Sequence, residues 1–377
     1  MTDAPPVDRR LGYHPALDGI RAVAVLLVLT FHTSEFPTGG FLGVDVFFVL
    51  SGFLITTLLL QEWDERGGVS LRRFYMRRFL RLFPALAALV AVYLVASAVL
   101  GDLDGRRVAS GFYSLTYVAN WVVAFDAPFH KDALVHLWSV AVEEQFYLLW
   151  PSVLVLVAAR RPRSLGAVTT GLIAIVAVWR LSLELGGTGF ERIYFALDTR
   201  FDELLVGCLG AILFVRHRSL LEAVPAVAYR AATVATVAGL GVAVFVLPHP
   251  NSHFLALGGY TLVAAGVLSV ILTCVLGKWD LVRALLALPP LVFVGKISYS
   301  LYLWHVVVIF FLHDVIPFGS FEVATALWIA VSFAAACASY FWVERPFLKL
   351  KERYASRRVV VAERGPARLP FDPDPVA

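Results

Sequence analysis

The chain has 377 residues and a formal net charge of +4, from 32 Lys and Arg against 28 Asp and Glu. Hydrophobic residues make up 59% and charged residues only 16%, whereas a soluble domain carries about 25% charged residues, so the class is a polytopic membrane protein. The basic residues sit between apolar runs rather than in one patch, which speaks against nucleic acid as a partner.

The first apolar run, residues 16–32, carries Arg21 and His32. Eleven helical steps return the second side chain to within about 20° of the first, roughly 16 Å further along the axis. One face of one helix thus holds a fixed cation and an ionisable base, groups that are costly in a bilayer and mark functional sites. Arg21 interrupts the start of the run and no small-residue cleavage site follows, so a retained helix is expected rather than a signal peptide.

Further apolar runs near the ~20 residues needed to span fall at 42–61, 79–100, 136–158, 165–183, 200–215, 227–247, 257–276, 291–312 and 321–343. A shorter stretch, 108–124, contains Ser110, Ser114, Thr116 and Asn120. Loop charge decides its place. With ten spans, the basic clusters at Arg66–Arg78, Arg160–Arg163, Arg216–Arg218, Lys278–Arg283 and Lys349–Arg358 all fall on one side. The opposite loops 35–41, 248–256 and 313–320 carry no Lys or Arg. An eleventh span would put the later clusters outside. The positive-inside rule therefore predicts an all-α bundle of about ten transmembrane helices in the plasma membrane, with both termini cytoplasmic. The 108–124 stretch is then a re-entrant or interfacial element on the outer side. Residues 1–347 are expected to form one membrane domain, and 348–377 a basic, then Pro-rich cytoplasmic tail that is disordered at its end. Cys208, Cys274 and Cys337 lie inside apolar runs without metal-ligand spacing and are expected to be buried, unpaired thiols. No metal site is expected.

This topology brings several polar groups to one outer layer: His32, Asp45, the group His136, Ser139, Glu143 and Glu144, the pair Arg200 and Asp202, and Tyr302 with His305. Such a layer predicts a shared cavity. Chemistry in such a cavity needs a base, a stabiliser for developing charge and alignment of the reactants. His32 is the natural base, with Glu143 or Asp45 as its orienting carboxylate and Ser139 holding that carboxylate or donating to the substrate. Tyr302, His305, Arg200 and Asp202 are candidates for holding the substrate. On the inner side Arg73, Arg77 and Arg81 recur every four residues beside Arg78, either resting on anionic lipid or clamping phosphate.

These residues resemble the membrane acyltransferase-3 family. The resemblance covers about Leu17 to Phe347, through Leu17-Asp18-Gly19-Ile20-Arg21 and His32 with ten residues between the arginine and the histidine, Gly43-Val44-Asp45 leading to Ser51-Gly52-Phe53, and Arg73-Phe74-Tyr75-Met76-Arg77-Arg78-Phe79-Leu80-Arg81. It continues through His136-Leu137-Trp138-Ser139 with Glu143 and Glu144, then Ile297-Ser298-Tyr299 with Tyr302 and His305, and finally Glu344-Arg345-Pro346. The resemblance implies an acyl-coenzyme A donor (acetyl-CoA as the first expectation) loaded from the cytoplasm, and a hydroxyl acceptor on a carbohydrate or small molecule. It also implies that Arg21 and His32 are essential, with His32 at the transfer step. The arginines Arg21, Arg73, Arg77, Arg78 and Arg81 would then hold the coenzyme while its arm threads toward His32. Relatives often carry a soluble outer-side domain after the membrane part; none is expected here, since the chain ends soon after its last apolar run. The rival expectation is a transporter or flippase whose polar layer lines a pathway, but no inverted repeat supports it.

Overall fold

The computed structural model describes residues 11–33, 37–125, 132–247, 252–315 and 321–352. The Pro-rich tail lies outside these residues. Long apolar runs become helices because every backbone polar group in a bilayer must be satisfied within its own segment. In chain order the α-helices are α1 (Pro15–Thr33), α2 (Gly43–Arg66), α3 (Leu71–Val99), α4 (Gly105–Leu115), α5 (Ala119–Phe125), α6 (Trp138–Arg160), α7 (Leu165–Leu185) and α8 (Phe190–Phe195). They continue as α9 (Leu197–Arg216), α10 (Arg218–Ala223), α11 (Ala226–Val246), α12 (Tyr260–Val275), α13 (Asp280–Leu286), α14 (Pro289–Val315), α15 (Phe321–Ser339) and α16 (Arg345–Glu352). No strand occurs among the described residues.

Among the described residues, nine helical segments are long and apolar enough to cross a membrane. The remaining expected span, 200–215, falls in α9, whose charged residues include Arg200, Asp202, Glu203 and Arg216. Arg200, Asp202 and Glu203 turn inward, among fifteen buried residues of the twenty in α9, whereas Arg216 at its end is exposed. Packing direction argues that α9 crosses as well. Helices α1 and α14 run parallel, since Asp18 lies against Gly295 and His32 against His305. That alignment needs an even number of reversals between them, which α9 supplies. The 108–124 stretch forms α4 and α5, of 11 and 7 residues, too short for the ~20-residue crossing. Asp104 caps α4 by accepting from the Arg107 N–H at 2.8 Å.

The centre of the bundle is the pair α2 and α9. They also run parallel, with Asp45 facing Arg200 at one end and Asp64 facing Arg216 at the other. Their backbones touch through reciprocal glycines. A Cβ on Gly52 would fall 1.9 Å from the Leu204 carbonyl oxygen, and one on Gly207 would fall 2.1 Å from that of Val49. Lipid tails are as apolar as Leu, so close van der Waals approach at small residues, rather than exclusion of water, holds such helices together. Helices α7 and α11 sit at the periphery and bury few side chains. The three cysteines are free thiols, with Cys208 and Cys274 buried and Cys337 partly so.

Candidate active site

A cavity of ≈ 250 Å³ penetrates the bundle between α1, α2, α3, α6 and α14. It meets the surface beside Gly12 and Tyr13, both exposed, at the end of the bundle where α1 begins. Arg21, Arg78 and Arg81 stand on its wall. Arg21 donates to Asp18 at 3.1 Å, and Asp18 also accepts from the Tyr13 hydroxyl at 2.9 Å. The Arg78 guanidinium lies 5.3 Å over the Tyr147 ring and 5.7 Å over that of Phe74, a stacking that fixes its plane. Among the described residues, neither Arg78 nor Arg81 has a carboxylate within 4.0 Å.

Deeper in, the cavity becomes a hydroxyl-rich pocket. Ser51 donates to Glu143 Oε1 at 2.7 Å, and the Tyr147 hydroxyl donates to Ser51 at 3.0 Å. Arg21, Arg78 and Arg81 are the cationic neighbours of Glu143. The far end is closed by Ser139 and Tyr302, whose hydroxyls are 2.6 Å apart. Both hydroxyls also reach the His136 carbonyl, Tyr302 at 2.8 Å and Ser139 at 3.4 Å.

Three imidazoles lie beyond this closure. His305 follows Tyr302 by one turn on α14. Its Nε2 is 3.3 Å from His32 Nδ1, and its ring centroid is 5.3 Å from that of His136. His32 is exposed, whereas His136 and His305 are buried. His32 is therefore not on the wall of the cavity that holds Glu143, but one turn past it.

The fold separates other residues that the sequence placed at one depth. Arg200 is fully buried between Asp45, at 3.1 Å, and Glu203, at 2.7 Å, with its guanidinium 3.8 Å over the Tyr260 ring. Asp202 pairs with Arg180 at 2.7 Å and accepts from Thr261 at 2.5 Å. Arg180 also donates to the carbonyls of Thr199 and Ala256. None of Asp45, Arg200 and Asp202 reaches the cavity surface, so they hold helices in place rather than contact anything within it. Neither expected carboxylate meets His32: among the described residues its polar partners are the Val28 carbonyl, at 2.9 Å, and His305. The reason is directional, since Asp45 is drawn to Arg200 and Glu143 to Ser51. Arg77 and Arg73 lie 3.1 and 3.9 Å from Glu62 and do not line the cavity. Sequence reasoning missed Arg180, although a lone guanidinium in the apolar run 165–183 is itself a signal. It also gave Glu203 and Ser51 no role, and took Tyr147 for an interfacial or packing aromatic.

The sequence model of the acyltransferase-3 family, described as an acyltransferase domain, matches residues 14–345. The chain is 35% identical over 358 residues to the peptidoglycan O-acetyltransferase OatA of Listeria monocytogenes, covering 89% of this chain and 56% of that protein. It is 33% identical over 368 residues to YrhL of Bacillus subtilis, named as a candidate peptidoglycan O-acetyltransferase, covering 93% and 57%. This chain thus spans somewhat over half the length of these relatives. No solved structure matches. A family match across nearly the whole bundle, with a relative 35% identical over 89% of the chain, places this chain in the membrane acyltransferase-3 family.

Proposed function

We propose that the protein is a membrane O-acyltransferase that moves an acetyl group from cytoplasmic acetyl-CoA to a hydroxyl of a cell-envelope glycan. One observation carries this reading: a cavity with cations at its mouth and hydroxyls at its depth ends one helical turn short of an exposed imidazole. The positive-inside pattern puts the mouth in the cytoplasm and both termini there. Guanidinium groups match phosphate oxygens, so Arg21, Arg78 and Arg81 receive the phosphates of the coenzyme at the mouth. Arg73 and Arg77 lie outward of them on α3. The roughly 16 Å along α1 between Arg21 and His32 suits an extended pantetheine arm.

The acyl thioester then lies near Ser139 and Tyr302, and displacing their contact opens it to His32. The acceptor oxygen attacks the thioester carbonyl carbon while His32 takes the hydroxyl proton. The tetrahedral oxyanion is stabilised by the displaced Ser139 and Tyr302 hydroxyls. It collapses with cleavage of the C–S bond, and the proton on His32 passes to the leaving sulfur. The names of the relatives favour peptidoglycan as the acceptor and acetyl as the group.

The test uses the full chain in proteoliposomes with labelled acetyl-CoA and a glycan acceptor. Free thiol should appear in step with labelled glycan. His32→Ala should lower both by about 100-fold or more, the scale of a lost general base. Full transfer by a folded His32→Ala variant would overturn the proposal, and movement of glycan without thiol release would indicate a carrier.

A further inference from the structure

The contacts of the His32–His305 pair fix more than the position of His32, because they admit one neutral proton arrangement; the third ring, His136, faces the Ala133 and Leu303 carbonyls with both nitrogens and stands outside this argument. A neutral imidazole has one N–H donor and one lone pair, and which nitrogen holds the proton follows from its partners. His305 Nδ1 faces two oxygens that can only accept, the Tyr302 carbonyl at 2.7 Å and the Leu301 carbonyl at 3.2 Å. That nitrogen must carry the proton, so His305 Nε2 presents its lone pair. This lone pair points at His32 Nδ1, 3.3 Å away. His32 Nδ1 also faces the Val28 carbonyl at 2.9 Å. Two acceptors therefore converge on one nitrogen of His32. The opposite assignment would set lone pairs against carbonyl oxygens at both rings.

We propose that His305 is a positioning residue that, with the Val28 carbonyl, holds His32 in the Nδ1–H form, making Nε2 the atom that takes the acceptor's proton. This rests on the reading of His32 as the base. His305 then takes the place that an orienting carboxylate holds in most base–orienter pairs. When His32 accepts a proton at Nε2, its Nδ1–H still has two acceptors, so the imidazolium is stabilised without a buried anion. The relay ends there: His305 passes no proton, since its Nδ1–H is committed to α14 backbone. The cluster also explains why Tyr302 and His305 sit one turn apart on α14. The first closes the cavity, and the second aims the base beyond it.

Solid-state NMR on the full chain in lipid, with 15N-labelled histidine assigned by comparison with His32→Asn, reads the proton positions without turnover. We expect His32 and His305 both as Nδ1–H tautomers. His305→Gln places an amide oxygen near the original Nε2 and should keep kcat within about fivefold. His305→Leu, which has no acceptor, should lower kcat by about 10- to 100-fold, as loss of an orienting partner does, with KM for acetyl-CoA unchanged. An Nε2–H tautomer for His32 in the unsubstituted protein would overturn the proposal. So would a folded His305→Leu variant with the original kcat, or a His305→Gln variant no better than His305→Leu. Failure of the base reading is separate, because it appears as transfer by His32→Ala whatever tautomer the spectra report.

Discussion

Arginines one or four residues apart on α3 meet different surroundings. Arg78 and Arg81 face the cavity, whereas Arg73 and Arg77 turn to Glu62. Under the proposed function, a cavity guanidinium lacking a carboxylate would contribute to ground-state binding of the charged donor. Arg81→Gln should therefore raise KM for acetyl-CoA about tenfold, the effect of losing one charge-assisted contact, with kcat little changed. Arg73→Gln should raise it less, and initial rates across acetyl-CoA concentrations separate the two. The four-residue spacing of Arg73, Arg77 and Arg81 was plain in the sequence, and it shows which side chains share a face of one helix. It does not show which neighbour that face meets. Glu143 and Asp45 illustrate the same limit: one or the other was expected beside His32, but a serine on α2 takes Glu143 and an arginine on α9 takes Asp45.

The parallel helices α2 and α9 combine backbone contact at Gly52 and Gly207 with ionic contacts to each other. The Arg180–Asp202 pair locks α7 to α9 in the same way, with both side chains fully buried. Removing one member strands an uncompensated charge, at a cost of about 3–5 kcal/mol, whereas replacing both with apolar residues of like volume is near neutral. Arg180→Met alone should lower thermal stability in detergent sharply, and Arg180→Met with Asp202→Leu should recover most of it. If the single and double variants melt alike, the pair contributes nothing of this kind. The α9 run was legible as apolar, but its charges resemble a functional cluster in the sequence. Only the packing shows that they are matched by Asp45 on α2, Arg180 on α7 and Glu203 on α9 itself, with Arg200 shielded by the Tyr194, Tyr260 and Trp138 rings.

For the molecule as a whole, the spans were readable because bilayer thickness sets a length that few soluble helices show, and basic loops mark one side. The short α4 and α5 were readable for the complementary reason, since an extra crossing would have inverted that charge pattern. The reversal count between α1 and α14 agrees with this topology. It yields a sidedness prediction: in vesicles of known orientation, thiol release should require acetyl-CoA on the face that exposes Tyr13. Equal rates from both faces would contradict it.

A half-tunnel lined with water-seeking groups is a hazard to any cell that stores energy as an ion gradient. If the hydroxyl latch of Ser139 and Tyr302 stood open at rest, protons and cations would drain through the protein beside a titratable ring. Under the proposed function, its 2.6 Å contact would double as electrical insulation, with the donor arm that parts it filling the gap.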